Sequence, residues 1–450
     1  MTLTRRELLF GGMAASVAGL YRCSRFQPDV VGGPYDVAVV GSGFAGTYLA
    51  LQTASAGLET VIVEAAPEKG IDYISPQAGN PFAFRNTGEI DYNVNGSRVI
   101  GVGGTSRHWT GRVNRLRPSD FRLSSEFGLD VDWPIAYEDL APYYCEAERL
   151  LSVFGGPMVP GAEPRRNCPY PRQFEHAYRP PEIVVDGEAL PFFGVATSAR
   201  SSSGQPVRLA EEEIPRFTHL AAATMLAGFQ VTRIATLDGE TVDHLVLCST
   251  DGKEHHLRAR CFVLAAGVIE TPRLLLRSRS RWFPDGLGNS HDLVGRFFVE
   301  HPTLVLRFTP AGARELAVGA HRTYHFNDRF RSEKLNACHY QLRVGRSGDV
   351  DWKLRPETQP RPENRVTLSG ERRDRFGSPT IELAFGFSGR DRRSIERGME
   401  FLRQEARALG AEPSKLELGR WFRDHPAGTC RMGFDPSDSV VDRHNRVFGV

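Results

Sequence analysis

The stretch between residues 36 and 64 constrains this fold more than any other part of the chain. Residues 36–40 (DVAVV) form a short apolar run of the kind buried on both faces of a parallel sheet. Gly41, Gly43 and Gly46 follow at GxGxxG spacing, residues 45–54 have helix-forming spacing, and residues 60–63 return as a second apolar strand. In such a βαβ unit the first glycine permits the tight turn, the second lets a pyrophosphate approach the backbone, and the third lets the helix pack on the strand. The helix N-terminus then offers its free amides to the anion. Glu64 ends the second strand 18 residues beyond Gly46, where an acid accepts hydrogen bonds from ribose hydroxyls and disfavours a 2′-phosphate. The triplet alone leaves FAD and NAD open.

A second glycine-led segment, GGTSRHWTGR, begins at Gly103 behind strand-like residues 98–102. Gly103 and Gly104 let the backbone run close to a flat ligand, and Thr105 and Ser106 can donate to its polar edge. The segment resembles the flavin-contacting part of the glucose-methanol-choline (GMC) oxidoreductase family, most closely its pyranose oxidase branch. The same resemblance continues in CFVLAAGVIETPRLLL (261–276), GRFFVEHP (295–302), PRPENRVTLSGERRDRFGSP (360–379) and HPAGTCRMGFD (425–435), so that it runs from residue 36 to the end.

The resemblance selects FAD over NAD. It implies that Ala266 and Gly267 approach the dinucleotide closely, that a helix opens at Thr271 and Pro272, and that residues 360–379 hold a strand pair of the substrate lobe. It also implies that His108 is the covalent attachment point on the flavin methyl, and that His425 faces the reactive side of the flavin as the base. An imidazole titrating near neutrality suits the acceptance of a hydroxyl proton. In the family a later strand passes under the flavin, and an Asn or His roughly 40–45 residues past the first histidine completes the catalytic pair. No residue follows Val450, so no position inherits that second role and the C-terminal end is expected to be truncated.

Composition narrows the alternatives. The formal net charge is +2, which gives no polyanion-binding surplus, and no aromatic and basic stripe points to nucleic acid. Thr4, Arg5 and Arg6 precede a mildly apolar run ending near Leu20. This resembles a twin-arginine export signal with an apolar stretch too short to span a bilayer, and implies a periplasmic or cell-envelope location. The seven cysteines show no CxxC spacing, so neither a disulfide framework nor a thiolate zinc site is indicated and core thiols are expected. No HExxH or GxSxG supports zinc or serine hydrolysis, and no metal site is expected. His255 with His256 reads as a solvated turn pair, and the runs at 201–203 and 391–393 read as solvated loops.

Strand-like runs at 231–234, 244–248 and 261–265, separated by Asp-Gly turns, read as a meander returning into the first sheet. Further strands are expected at 364–369 and 380–387, and residues 390–409 form an amphipathic helix with Ile395, Met399, Leu402 and Ala406 on one face. The expected fold is α/β plus β, a Rossmann-like FAD-binding lobe interleaved with a β-sheet and helix substrate lobe. The expected segments are a signal segment (1–33), FAD-lobe parts (34–115 and 220–300), a cap segment (116–219), a substrate lobe (301–424) and a catalytic-histidine segment (425–450). The expected activity is oxidation of an alcohol CH–OH, of a sugar or glycoside, by hydride transfer to flavin N5 with His425 as base. Oxygen, a quinone or a redox subunit would take the electrons. The alternative is an incomplete, catalytically defective flavin-binding relative, or one part of a split or multi-subunit dehydrogenase.

Overall fold

The computed structural model describes residues 29–450 apart from 68–70, 74–83, 93–98, 157–163, 165, 174–183, 186–187, 190–192, 195, 200–204, 310–321, 346–348, 375, 409, 412–416 and 419–424. Residues 1–28, which hold the twin arginine and Cys23, and the serines at 201–203 lie outside the described residues.

Tyr35–Val40 (β1) is buried along its whole length, as a strand covered on both faces must be. Phe44–Ser55 (α1) follows and buries Gly46, Thr47, Ala50, Leu51 and Ala54. The chain returns as Thr60–Glu64 (β2), parallel to β1 and equally buried. Ala223–Ala227 (β3) adds to the outer side of β2, also parallel. Gly228, at φ +83°, then bends the chain out of this sheet. Phe229–Thr236 (β4), Val242–Ser249 (β5) and Glu254–Leu257 (β6) consequently form a separate antiparallel meander, to whose edge Asp29–Val30 adds in parallel. The meander expected to rejoin the first sheet does so only through Ala259–Leu264 (β7), which pairs in parallel with β1. His255 and His256 are corrected with it: they are half-buried strand residues, and His256 stacks on His244 with ring centroids 4.1 Å apart.

The helix after β7, Gly267–Arg277 (α2), opens at Gly267 rather than at Thr271 and Pro272. Pro272 therefore sits inside the helix, where it cannot donate to the carbonyl of Val268. The hydroxyl of Thr429 fills the vacancy, donating to the Val268 oxygen at 2.6 Å. A proline that would otherwise cost the helix a hydrogen bond thus anchors the loop following His425.

The second lobe is a six-stranded antiparallel sheet. Leu304–Phe308 (β8), Arg322–Asn327 (β9), Cys338–Val344 (β10) and Val350–Pro356 (β11) make its centre in the order β9-β10-β11-β8, with Phe193–Gly194 and Glu417–Leu418 at the edges. Alternation along β11 buries Val350, Trp352 and Leu354. These residues share a core cluster with Met399, Phe401, Leu402 and Ala406 of Gly389–Ala408 (α3), which takes the place of the amphipathic helix expected at 390–409. The run at 391–393 is not a loop. Asp391 is wholly buried in the first turn of α3 and accepts from the backbone N–H of Gln359 at 2.8 Å and the side chain of Asn336 at 2.6 Å.

A three-stranded sheet interleaves the lobes: Phe84–Asn86 pairs in parallel with Pro379–Ala384, which pairs with Arg365–Arg373. Its core mixes Phe84 and Tyr92 with Ile269, Phe298 and Phe385. The cysteines hold the last correction. Cys145 and Cys168 form a disulfide beside Arg115, while Cys248, Cys261, Cys338 and Cys430 are free thiols. The pair escapes a spacing rule because 23 residues separate its members.

Replacing Thr429 with Val leaves the Val268 carbonyl without its donor and should destabilise the protein by ~1–3 kcal/mol in urea unfolding. Adding Pro272→Ala returns a backbone N–H to the helix and should recover part of that loss. Additive effects of the two changes would refute the coupling.

Candidate active site

A cavity of about 350 Å³ lies along the C-terminal ends of β1, β2 and β7, where a doubly wound sheet presents its ligand crevice. Gly41, Gly43 and Glu64 line it, with Ala266 and Gly267 at the start of α2. The glycines have distinct physical reasons. Gly41 has φ +101°, and a Cβ there would lie 2.7 Å from the Ala265 oxygen; one on Gly46 would lie 2.0 Å from the Gly41 oxygen. A Cβ on Gly43 would meet no protein atom within 4 Å. Gly43 is the N-cap of α1 and no side chain caps that helix, so its first-turn amides are available to an anion.

Ser42, which the sequence reading passed over, ties the site together. Its hydroxyl donates to Glu64 Oε2 at 2.6 Å and accepts from the Gly103 N–H at 3.0 Å, joining the two glycine loops. The Glu64 carboxylate also accepts from the Ala66 N–H at 3.2 Å. Gly103, at φ +87°, opens the short 3₁₀ turn Gly104–Arg107, and Gly104 and Thr105 contribute to the cavity wall. Ser106 turns inward instead: buried, it donates to the Gly103 oxygen at 2.7 Å and accepts from the Leu209 N–H at 3.2 Å. His108 follows on the exposed side of the turn. Trp109 packs its ring edge on Phe44 and donates to the Val207 oxygen.

The loop carrying His425 reaches this cavity through Pro426, which lines its wall. The loop is held by antiparallel pairing with GRFFVEHP: Val299 and Ala427 exchange two backbone hydrogen bonds at 3.0 and 2.9 Å, and the Gly295 N–H donates to the Thr429 oxygen at 2.8 Å. Gly428, at φ +99°, is required where it stands, since a Cβ would fall 1.9 Å from the Phe297 oxygen.

This pairing brings His301 against His425, with His301 Nε2 2.7 Å from His425 Nδ1. Beneath them, buried Glu300 accepts from the His425 N–H at 2.8 Å, the Tyr92 hydroxyl at 2.9 Å and the His301 N–H at 2.9 Å. Burial, then the neighbouring His425 and Arg355, push the His301 pKa down to about 3, so its imidazole is neutral at physiological pH. The face of the six-stranded sheet opposite α3 carries Gln341, Lys353 and Arg355. Gln341 accepts from Arg112 at 3.1 Å and from Arg355 at 2.9 Å. Burial, followed by Arg355 and Arg112, lowers the Lys353 pKa.

These residues fit an FAD. Two helix N-termini without side-chain caps meet glycines with open space at the cavity, and an acid stands at the end of β2. Residues 36–89 match the model of an FAD binding domain, and residues 360–450 match that of the GMC oxidoreductase family. The chain thus carries an FAD binding domain and a GMC oxidoreductase C-terminal domain, the domain pair of an FAD-dependent oxidoreductase.

The fructose dehydrogenase large subunit of Gluconobacter japonicus is 27% identical, with 92% of this chain and 90% of the relative covered. The 6'''-hydroxyparomomycin C oxidase of Streptomyces lividus is 29% identical, with 94% and 86% covered. Pyridoxine 4-oxidase from Mesorbium loti shares the fold with a TM-score of 0.59 at 19% identity, covering 93% of this chain and 92% of that one. An FAD-dependent oxidoreductase from Chaetomium thermophilum shares it with a TM-score of 0.64 at 14% identity, covering 93% of each.

A Gly46→Ala variant drives its methyl into the Gly41 carbonyl and should separate α1 from β1. Purified protein should lose most of its FAD absorbance relative to wild type, whereas full FAD occupancy would show that the turn relaxes without consequence.

Proposed function

We propose that the protein oxidises an alcohol CH–OH group of a sugar or glycoside, with His425 taking the hydroxyl proton. The observation that carries this reading is the placement of His425: its loop borders the cavity through Pro426, and Glu300 and His301 hold its backbone and its ring. The bound FAD supplies the two-electron acceptor for the hydride that leaves the carbinol carbon. The hydroxyl proton goes to a ring nitrogen of His425, so the C–H and O–H bonds of the alcohol are both accounted for. Arg112, Gln341, Lys353 and Arg355 cluster on the sheet face opposite α3, and Arg355 is near enough to His301 to lower its pKa, so the cluster offers N–H groups of the kind that bind hydroxyls. Relatives named for fructose, hydroxyparomomycin and paromamine support this substrate class.

His108 is proposed as the covalent attachment point for the flavin. It ends the turn whose Gly104 and Thr105 form the cavity wall, and a neutral imidazole is a competent nucleophile toward an oxidised flavin methyl. The relative named a large subunit favours a partner subunit that receives the electrons. The twin arginine at Arg5 and Arg6 supports export to the periplasm or cell envelope, an assignment with which the Cys145–Cys168 disulfide agrees.

Two measurements test these assignments. In anaerobic stopped flow with a panel of sugars and glycosides, His425→Ala should slow flavin reduction by roughly 10²–10⁴-fold at unchanged FAD content. An unchanged rate would reject His425 as the base. After acid precipitation the wild-type pellet should stay yellow, and that of His108→Ala should release its flavin; a yellow wild-type supernatant would dispose of the covalent bond.

A further inference from the structure

We infer that His301 is a positioning residue that fixes the tautomer of His425, holding its proton on Nδ1 and leaving Nε2 unprotonated. The inference rests on the reading of His425 as the base and adds to it a residue from another part of the chain.

Two imidazole nitrogens 2.7 Å apart share one proton, so one donates and the other accepts. The surroundings decide which. His301 Nδ1 is buried and has no hydrogen-bond partner among the described residues, but it lies 4.0 Å from Glu300 Oε1. Glu300 accepts three hydrogen bonds, from the Tyr92 hydroxyl and from the backbone N–H groups of His301 and His425, so toward every neighbour its carboxylate is an acceptor. A proton on His301 Nδ1 faces that carboxylate favourably, and its Nε2 is then a lone pair aimed at His425. The Nδ1 of His425 must donate to it.

The second ring nitrogen of a histidine is set by the hydrogen bond its first nitrogen makes, so His425 Nε2 is left unprotonated. That is the state a base requires before the alcohol arrives. The hydroxyl proton then moves to Nε2 while the Nδ1 proton stays in place, and no further acceptor is needed. Burial, then His425 itself and Arg355, keep His301 from becoming a second cation beside the imidazolium that forms. Glu300 holds the main chain of the base and stands 4.0 Å from the ring that holds its side chain. One acid thereby serves both histidines.

The test is a two-bond ¹H–¹⁵N correlation spectrum of FAD-loaded, [¹⁵N]histidine-labelled protein, with His425→Ala assigning the signal. In wild type the Nδ1–H form of His425 should exceed the Nε2–H form by roughly tenfold, the ratio one net hydrogen bond sustains. In His301→Leu the ratio should fall below unity, because an unassisted imidazole prefers Nε2–H. In His301→Gln, whose amide oxygen still accepts, the Nδ1–H form should persist. Circular dichroism and FAD absorbance check that each variant is folded and loaded.

A wild-type His425 found as Nε2–H, or a ratio unmoved in His301→Leu, overturns the inference. The wild-type spectrum and His301→Gln decide it even where His301→Leu does not fold. An unchanged flavin reduction rate in His425→Ala would instead remove the base and leave the tautomer result standing, so the two failures are distinct.

Discussion

The site depends on a short antiparallel contact between residues 295–299 and 427–429. Its hydrogen bonds are few, but they join segments about as far apart in sequence as the two histidines they bring together: His301 and His425 are separated by 124 residues. The contact leaves no freedom at Gly428, where the Phe297 oxygen occupies the space of a side chain. With that contact in place, Glu300 lies under the backbone of His425 and Pro426 lies on the cavity wall. Without it, the histidine loop has no defined relation to the dinucleotide crevice. Burial of Phe298 among Tyr92, Val366 and Phe385 seats the same segment in the apolar core between the lobes, so the polar geometry is carried by hydrophobic packing that leaves little room for adjustment.

What the sequence made legible was local. Gly41, Gly43, Gly46 and Glu64 could be read because the turn, the helix start and the acid fall within one βαβ unit whose geometry is set by short-range sterics. Gly103 and Gly104 were readable for the same reason. Ser42 was not, although it stands between two of those glycines, because its partners Glu64 and Gly103 meet it only in three dimensions. Glu300 and His301 lay inside a segment that could be recognised as a lobe junction, yet nothing in their spacing announced a hydrogen bond to His425.

The errors in local structure have the same origin. Pro272 usually marks a first turn, and here a threonine from another segment makes an interior proline tolerable. Gly228 and Asp391 each look like ordinary loop residues. One turns the chain from one sheet into the next, and the other is buried at the start of a twenty-residue helix. Alternating apolar residues told where strands run but not which sheet each would join, since the choice depends on a single left-handed residue between β3 and β4.

The disulfide does not hold its segment alone. Around Cys145 and Cys168, Arg115 donates to Glu148 at 2.9 and 3.0 Å and to the Tyr137 hydroxyl at 3.1 Å, and Arg166 clasps the same carboxylate from the segment that carries Cys168. Burial opposes the charge on Glu148, but the two guanidinium groups outweigh it and hold its carboxyl below the usual range. The helix and the segment are thus clamped by ions as well as by sulfur. Oxidation closes a geometry that the ion cluster also defines, so two unlike interactions, one covalent and one ionic, hold the same segment against the same helix.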